Sequence, residues 1–204
     1  TTPWTLPSNL ALAVNPNLDY VYIKDEENGE IYLASKNILN NFFKEKKYKI
    51  IKEVKGKELS GKEYEPLFNY FKDEKNAFRI IIGDFVSNEE GTGIVHVAPN
   101  FGEDDYLVCK KNGIKLVNSI DEKGRFKDSV TDFKNQFVHD SNKNIIKFLK
   151  EKNKIFRKES FEHEYPFCYR CETKLIYKAI PAWLVKKQKI KPRLIEMNKK
   201  INWY

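Results

Sequence analysis

The chain reads as an α+β fold, mainly β: a β-barrel core decorated by helices. Three observations point there. Short stretches rich in Tyr, Val, Ile and Phe recur along the 204 residues, separated by Gly, Pro and Asn, the pattern of many short strands joined by turns. Helical apolar spacing appears in only a few windows. Apolar residues make up 41% of the chain and aromatics 14%, enough to build a core and too many for a disordered segment.

In chain order, residues 10–14 form a short apolar run after a turn-rich start. Residues 20–23 and 30–34 are β-rich and flank Asp25-Glu26-Glu27-Asn28-Gly29, which predicts a hairpin with Gly29 in its turn. Ser35 is placed to cap a helix through Lys46. Residues 48–54, 78–86 and 93–98 read as strands, with a Gly-rich corner at Glu90-Gly91-Thr92-Gly93. After Pro99 the spacing turns helical from Glu103 to Lys111, ending at Gly113. Asp140 or Ser141 caps another helix that buries Ile145, Ile146, Phe148 and Leu149. Later strands are expected at 155–158, 175–179 and 183–185. Residues 1–160 make the domain core; residues 161–204 add strands and a basic segment.

Net charge is +8, from 37 Lys and Arg against 29 Asp and Glu, a weak pointer to a polyanionic partner. Most lysines are scattered among glutamates, as on a solvated surface. Residues 178–200 differ, with eight basic residues against the single acid Glu196. That segment is either a solvated helix face or an RNA-facing strip. No apolar run reaches membrane-spanning length, and the opening at Thr1, already inside a motif, reads as a segment of a longer protein. Three cysteines make no disulfide framework and fit a reducing compartment, cytoplasmic or organellar.

Three constellations could carry chemistry. Thr1-Thr2-Pro3-Trp4-Thr5-Leu6-Pro7-Ser8-Asn9 packs hydroxyls and an amide around two prolines, which fix φ and hold the backbone extended. It is either a hydrogen-bonding surface or a polar turn before residues 10–14. Residues 94–98 place His96 in a buried strand that feeds the acidic helix start Glu103-Asp104-Asp105. The helix dipole there favours ionised carboxylates, so an aspartate beside a strand histidine could hold an ammonium group. Taken singly, His96 is equally a satisfied core histidine and the acids a capping cluster. Cys168-Tyr169-Arg170-Cys171 has half the ligand spacing of a zinc site, with only Cys109 and three histidines, His163 among them, left to complete it. Residues 56–68 look architectural. There is no nucleophile elbow and no P-loop.

These motifs resemble isoleucyl-tRNA synthetase, a class I enzyme, in its editing domain. Residues 1–9 are similar to that family's threonine-rich editing motif, and Gly91-Thr92-Gly93-Ile94-Val95-His96 through Asp105-Tyr106 to its second. Residues 56–68 resemble its Gly-x-x-Leu-x-Gly-x-x-Tyr-x-Pro-Leu-Phe signature, and residues 165–183 its return path to the catalytic core. The valine and leucine enzymes carry Thr-Thr-Arg-Pro where this chain has Thr1-Thr2-Pro3-Trp4. The resemblance implies the editing-domain fold shared by the three synthetases and hydrolysis of valine from mischarged isoleucine tRNA. It implies Asp105 as the grip on the substrate amino group, with Thr1, Thr2 and Thr5 lining the pocket and positioning ester and water. Asn9 matches the motif's asparagine, His96 shapes the pocket, Trp4 stacks or walls it, and Gly93 lies in the second motif. The partners implied are the valine-bearing acceptor end of the tRNA and the other domains of a monomeric parent synthetase, with no membrane. No cofactor is implied for this segment: ATP and Mg belong to a core whose signatures are absent. Zn would engage Cys168 and Cys171 only with a partner pair from elsewhere. The rival readings are a non-catalytic RNA-binding module, a valyl-tRNA synthetase editing domain and a zinc-stabilised structural domain.

Overall fold

A computed structural model describes residues 1–39, 43, 47–88, 91–159 and 164–203. The strands are β1 (Ala11–Val14), β2 (Asp19–Asp25), β3 (Ile31–Ser35), β4 (Tyr48–Lys55), β5 (Arg79–Ile82) and β6 (Ile94–Val97). The helices are α1 (Gly56–Leu59), α2 (Glu103–Lys111), α3 (Val138–Glu151) and α4 (Lys187–Asn198), with 3₁₀ turns at Pro3–Ser8, Lys36–Ile38 and Thr131–Phe133. The architecture is mixed α+β with sheet at its centre. The expected closed barrel does not form among the described residues. Pairing gives two three-stranded sheets, ordered β5-β1-β6 and β3-β2-β4. They meet through isolated bonds, such as Ser35 N–H to the Thr92 carbonyl at 3.0 Å and the Tyr20 hydroxyl to the Gly93 carbonyl at 2.7 Å. Single bonds of this kind join edges without extending a ladder.

The alternation of β2 explains why both sheets share it as a wall. Tyr20 packs with Val14, Val54, Leu59 and Ile80 between the sheets. Val21 and Ile23 point the other way, onto Ala34, Ile38, Leu39 and Phe43. This is the period-2 consequence of a pleated strand buried on both faces. A third core lies under α2, where Val108 and Cys109 meet Leu10, Ala11, Ala13 and Val97. A fourth joins Trp4 to Phe126, Phe133 and the α3 residues Ile145 and Leu149.

The hairpin is as expected, with β2 antiparallel to β3 and Gly29 at φ 75, in the left-handed region its turn needs. Several expectations change. The first nine residues are not extended: Pro3–Ser8 is a 3₁₀ helix with Pro at its first turn. A proline φ near −65° suits that helix as well as an extended chain, and burial of Trp4 decides between them. Beyond Lys36–Ile38 the helix expected to Lys46 lies mostly outside the described residues, and the Ser35 side chain makes no capping bond. The 78–86 strand shrinks to Arg79–Ile82, because Phe78 stands at φ 57 and breaks the extended run. Helix α3 begins at Val138 with Phe137 at its cap. Asp140 and Ser141 are already inside the helix, where the Ser141 hydroxyl donates to the Val138 carbonyl at 2.6 Å. No strand forms at 155–158, 175–179 or 183–185. Their β-prone residues have no neighbouring ladder to join, and propensity without a partner builds no sheet. The basic segment instead becomes α4, exposed throughout.

Candidate active site

β6 carries His96 opposite Leu12 of β1, at the edge of its sheet. The 3₁₀ turn ahead of β1 brings Thr5 and Asn9 over the same ring. Thr5 Oγ1 lies 3.0 Å from His96 Nε2, and Asn9 Nδ2 lies 2.9 Å from Nδ1. The proton positions follow from the remaining bonds. Asn9 Nδ2 also donates to the Ala11 carbonyl at 2.9 Å, so that end of the amide is the nitrogen. His96 Nδ1 therefore accepts, and the ring proton sits on Nε2. The Thr5 hydroxyl donates its only hydrogen to the Thr2 carbonyl at 2.9 Å, so it accepts from His96. Burial lowers the His96 pKa to about 4, and the ring is neutral at pH 7.

Asp105 belongs to the first turn of α2. Its Oδ2 accepts from the Ala98 N–H at 2.9 Å, which ties the carboxylate to the end of β6, two residues past His96. Burial raises its pKa above the ordinary aspartate value, partly offset by that backbone bond. The helix dipole favours the ionised carboxylate, whereas burial works against it. Hydrogen bonds thus unite Thr2, Thr5, Asn9 and His96. Asp105 joins them through the strand, with no direct bond to them among the described residues.

Other site candidates have different places. Thr1 and Thr2 are exposed. Trp4 is 4% exposed, with its ring edge-on to Phe101 at 4.7 Å and its backbone N–H donating to Asn142 Oδ1 at 2.9 Å. It anchors the 3₁₀ turn to α3 and offers no open face for stacking. Gly93 serves the fold. At φ 70 it leaves 2.4 Å between a would-be Cβ and Ser35 Cβ, and its carbonyl accepts from the buried Tyr20 hydroxyl at 2.7 Å. Two surface hollows, of about 450 and 280 Å³, are lined by other residues. The second includes Pro99 and Tyr106 beside Asp105.

Cys168 and Cys171 flank a tight turn closed by Cys168 N–H to the Thr173 carbonyl at 2.9 Å. The Thr173 hydroxyl lowers the Cys171 pKa. Among the described residues no three His, Cys, Asp or Glu side chains gather to hold a metal. Cys109 is buried, with its thiol pushed up to about 12, and His163 lies outside the described residues. The pair is at most half of a tetrahedral site. Sequence reasoning missed Tyr64, whose hydroxyl donates to Asn9 Oδ1 at 2.5 Å. Its place three residues after Gly61, in a stretch whose Leu, Tyr and Phe suit core packing, was the only signal, and that reads as architecture.

No protein-family model matches the chain. It is 44% identical, over all 204 of its residues, to an isoleucine–tRNA ligase of Clostridium tetani, covering 19% of that protein. It is 45% identical to the isoleucine–tRNA ligase of Bdellovibrio bacteriovorus, covering 20%. A crystal structure of GlLeuRS-CP1 superposes with a TM-score of 0.61 at 17% identity, over 79% of this chain and 82% of that one. The P. knowlesi cytosolic leucyl-tRNA synthetase editing domain gives 0.53 at 16% identity, over 75% and 80%. The chain spans about a fifth of the length of the curated relatives it matches. It is therefore related over its entire length to one segment of isoleucine–tRNA ligases, and it has the fold of leucyl-tRNA synthetase editing domains.

Proposed function

We propose that this chain is the editing module of an isoleucine–tRNA ligase and hydrolyses valine from mischarged isoleucine tRNA, and from valyl-adenylate where that reaches it. The need is physical: a pocket built for isoleucine cannot strongly reject valine, which lacks one methylene, and the isoleucine enzyme is the standard example of that limit. A second site must remove the error. The observation that carries the reading is the bonded set Thr2, Thr5, Asn9 and His96, with Asp105 fixed to the same strand.

The hydrogen-bond assignments support hydrolysis by a held water. The Thr5 proton is committed to the Thr2 carbonyl, and both His96 nitrogens are engaged. Neither group is free to act as nucleophile or general base. Thr5 retains one acceptor site, so whatever it holds must be a donor: a water or a hydroxyl. The terminal ribose hydroxyl of the tRNA, beside the ester, is the group left to assist. Asp105 takes the α-ammonium on the oxygen not bonded to Ala98, and an arriving cation lowers its raised pKa. Thr1 and Thr2 line the approach, and His96 bounds the side-chain space.

Asp105→Ala removes the ammonium partner while the Ala98 N–H can be solvated. Hydrolysis of valyl-tRNA(Ile) is expected to fall at least 100-fold, with an unchanged circular-dichroism spectrum. A variant that deacylates at the wild-type rate rejects this assignment. A serine or threonine ester trapped on the chain would reject the held-water step.

A further inference from the structure

We propose that Tyr64 is a positioning residue of this site: acting through Asn9, its hydroxyl holds the His96 imidazole in the tautomer that carries its proton on Nε2. The consequence for catalysis rests on the hydrolytic reading above; the geometry does not.

Asn9 is 8% exposed and its amide is fully used. The nitrogen serves the Ala11 carbonyl and His96 Nδ1, and the oxygen takes the Tyr64 hydroxyl. An amide that accepts a short bond at oxygen becomes a stronger donor at nitrogen. Tyr64 thus strengthens the contact that keeps Nδ1 free of its proton. The order continues outward, from Nε2–H to Thr5 and from Thr5 to the Thr2 carbonyl. Without the tyrosine hydroxyl a buried carbonyl is left unpaired, and the amide loses its second anchor.

Tyr64 is itself held in place. Its N–H donates to the Phe78 carbonyl at 3.0 Å, and its ring meets that of Phe78 edge-on at 6.0 Å. Phe78 stands at φ 57, unusual for a bulky residue, and its N–H bonds the Leu10 carbonyl at 2.7 Å. Strain next to a precisely bonded side chain marks a position that the surroundings over-determine. Burial also raises the Tyr64 pKa, so the phenol remains a donor across the working range.

The test uses the chain labelled with ¹⁵N-histidine, and long-range ¹H–¹⁵N spectra at pH 7 that read which ring nitrogen of His96 carries the proton. Wild type is expected to show Nε2–H alone. Tyr64→Phe keeps the ring against Phe78 and is expected to give a mixture of tautomers. It should lower kcat for valyl-tRNA(Ile) about 10-fold with KM within 2-fold. Asn9→Asp replaces the donor facing Nδ1 with a carboxylate acceptor and should place a proton on Nδ1 as well, while Nε2–H stays on Thr5. A Tyr64→Phe spectrum identical to wild type overturns the proposal, as does an Nδ1 that stays unprotonated in Asn9→Asp. If the tautomer shifts as expected but wild type hydrolyses no ester, the positioning role stands and the hydrolytic reading falls.

Discussion

A single imidazole shows how completely the surroundings decide what a residue does. In the sequence His96 is one histidine in an apolar strand, as consistent with a core position as with a site. The fold gives it an amide donor on one nitrogen and a hydroxyl acceptor on the other. Burial disfavours a second, charging proton, which is why the ring stays neutral down to about pH 4. The linkage sign follows. The unfolded histidine titrates near 6.5 and the folded one near 4, so the unfolded state binds the extra proton first. The group's full contribution is present above pH 6.5 and is lost as pH falls toward 4, by up to roughly 3 kcal/mol. Urea unfolding of wild type and His96→Gln from pH 7 to pH 4 should show the wild-type curve falling more steeply. Parallel curves would mean that the ring is not held neutral. Asp105 has the opposite sign: its raised pKa means that its charge, and capture of the amino group with it, disappears at a higher pH than for a free aspartate.

At the scale of elements, the sequence showed most where a periodic pattern met local turn chemistry. The β2–β3 hairpin, β4 and α2 were legible because alternation, Gly29 and the Gly113 stop are local signals. The 3₁₀ turn at Pro3–Ser8 was not legible, since two prolines are compatible with either conformation and the buried Trp4 that decides is held by α3, far along the chain. The Tyr64 link was hidden for the same reason: its partner is 55 residues away. Gly93 is a further case: the sequence places it in the second motif, and the structure makes it a joint between sheets. Gly93→Ala meets two obstacles, a left-handed φ and the Ser35 Cβ at 2.4 Å, and is expected to cost about 2–4 kcal/mol. Ser35→Gly in that background removes the contact and should restore the steric share while leaving the conformational one. Equilibrium denaturation of the two variants separates the contributions, and an unchanged midpoint in Gly93→Ala would mean that the sheets do not meet there.

Across the whole molecule, apolar side chains divide into two populations. One is enclosed in the four cores. The other is exposed and is densest on residues 180–203, where Trp183 is 103% exposed and Leu184 89%, and where α4 leaves Ile190, Leu194, Ile195 and Met197 open. Isolated exposed apolar residues are ordinary, but a contiguous run of this kind marks a surface that another body covers. The chain corresponds to a fifth of the length of its relatives. The division makes a stability prediction. Trp183→Ala combined with Leu184→Ala removes nothing that the cores use, so the melting temperature of the chain should stay within about 1 °C of wild type. Ile145→Ala, at a fully buried α3 position in the core that also holds Trp4, should lose about 2–5 kcal/mol, and with it the anchor of the 3₁₀ turn. Calorimetry on both variants decides. A fall of several degrees in the double tail variant would mean that residues 180–203 pack onto this domain in solution and leave no open apolar face.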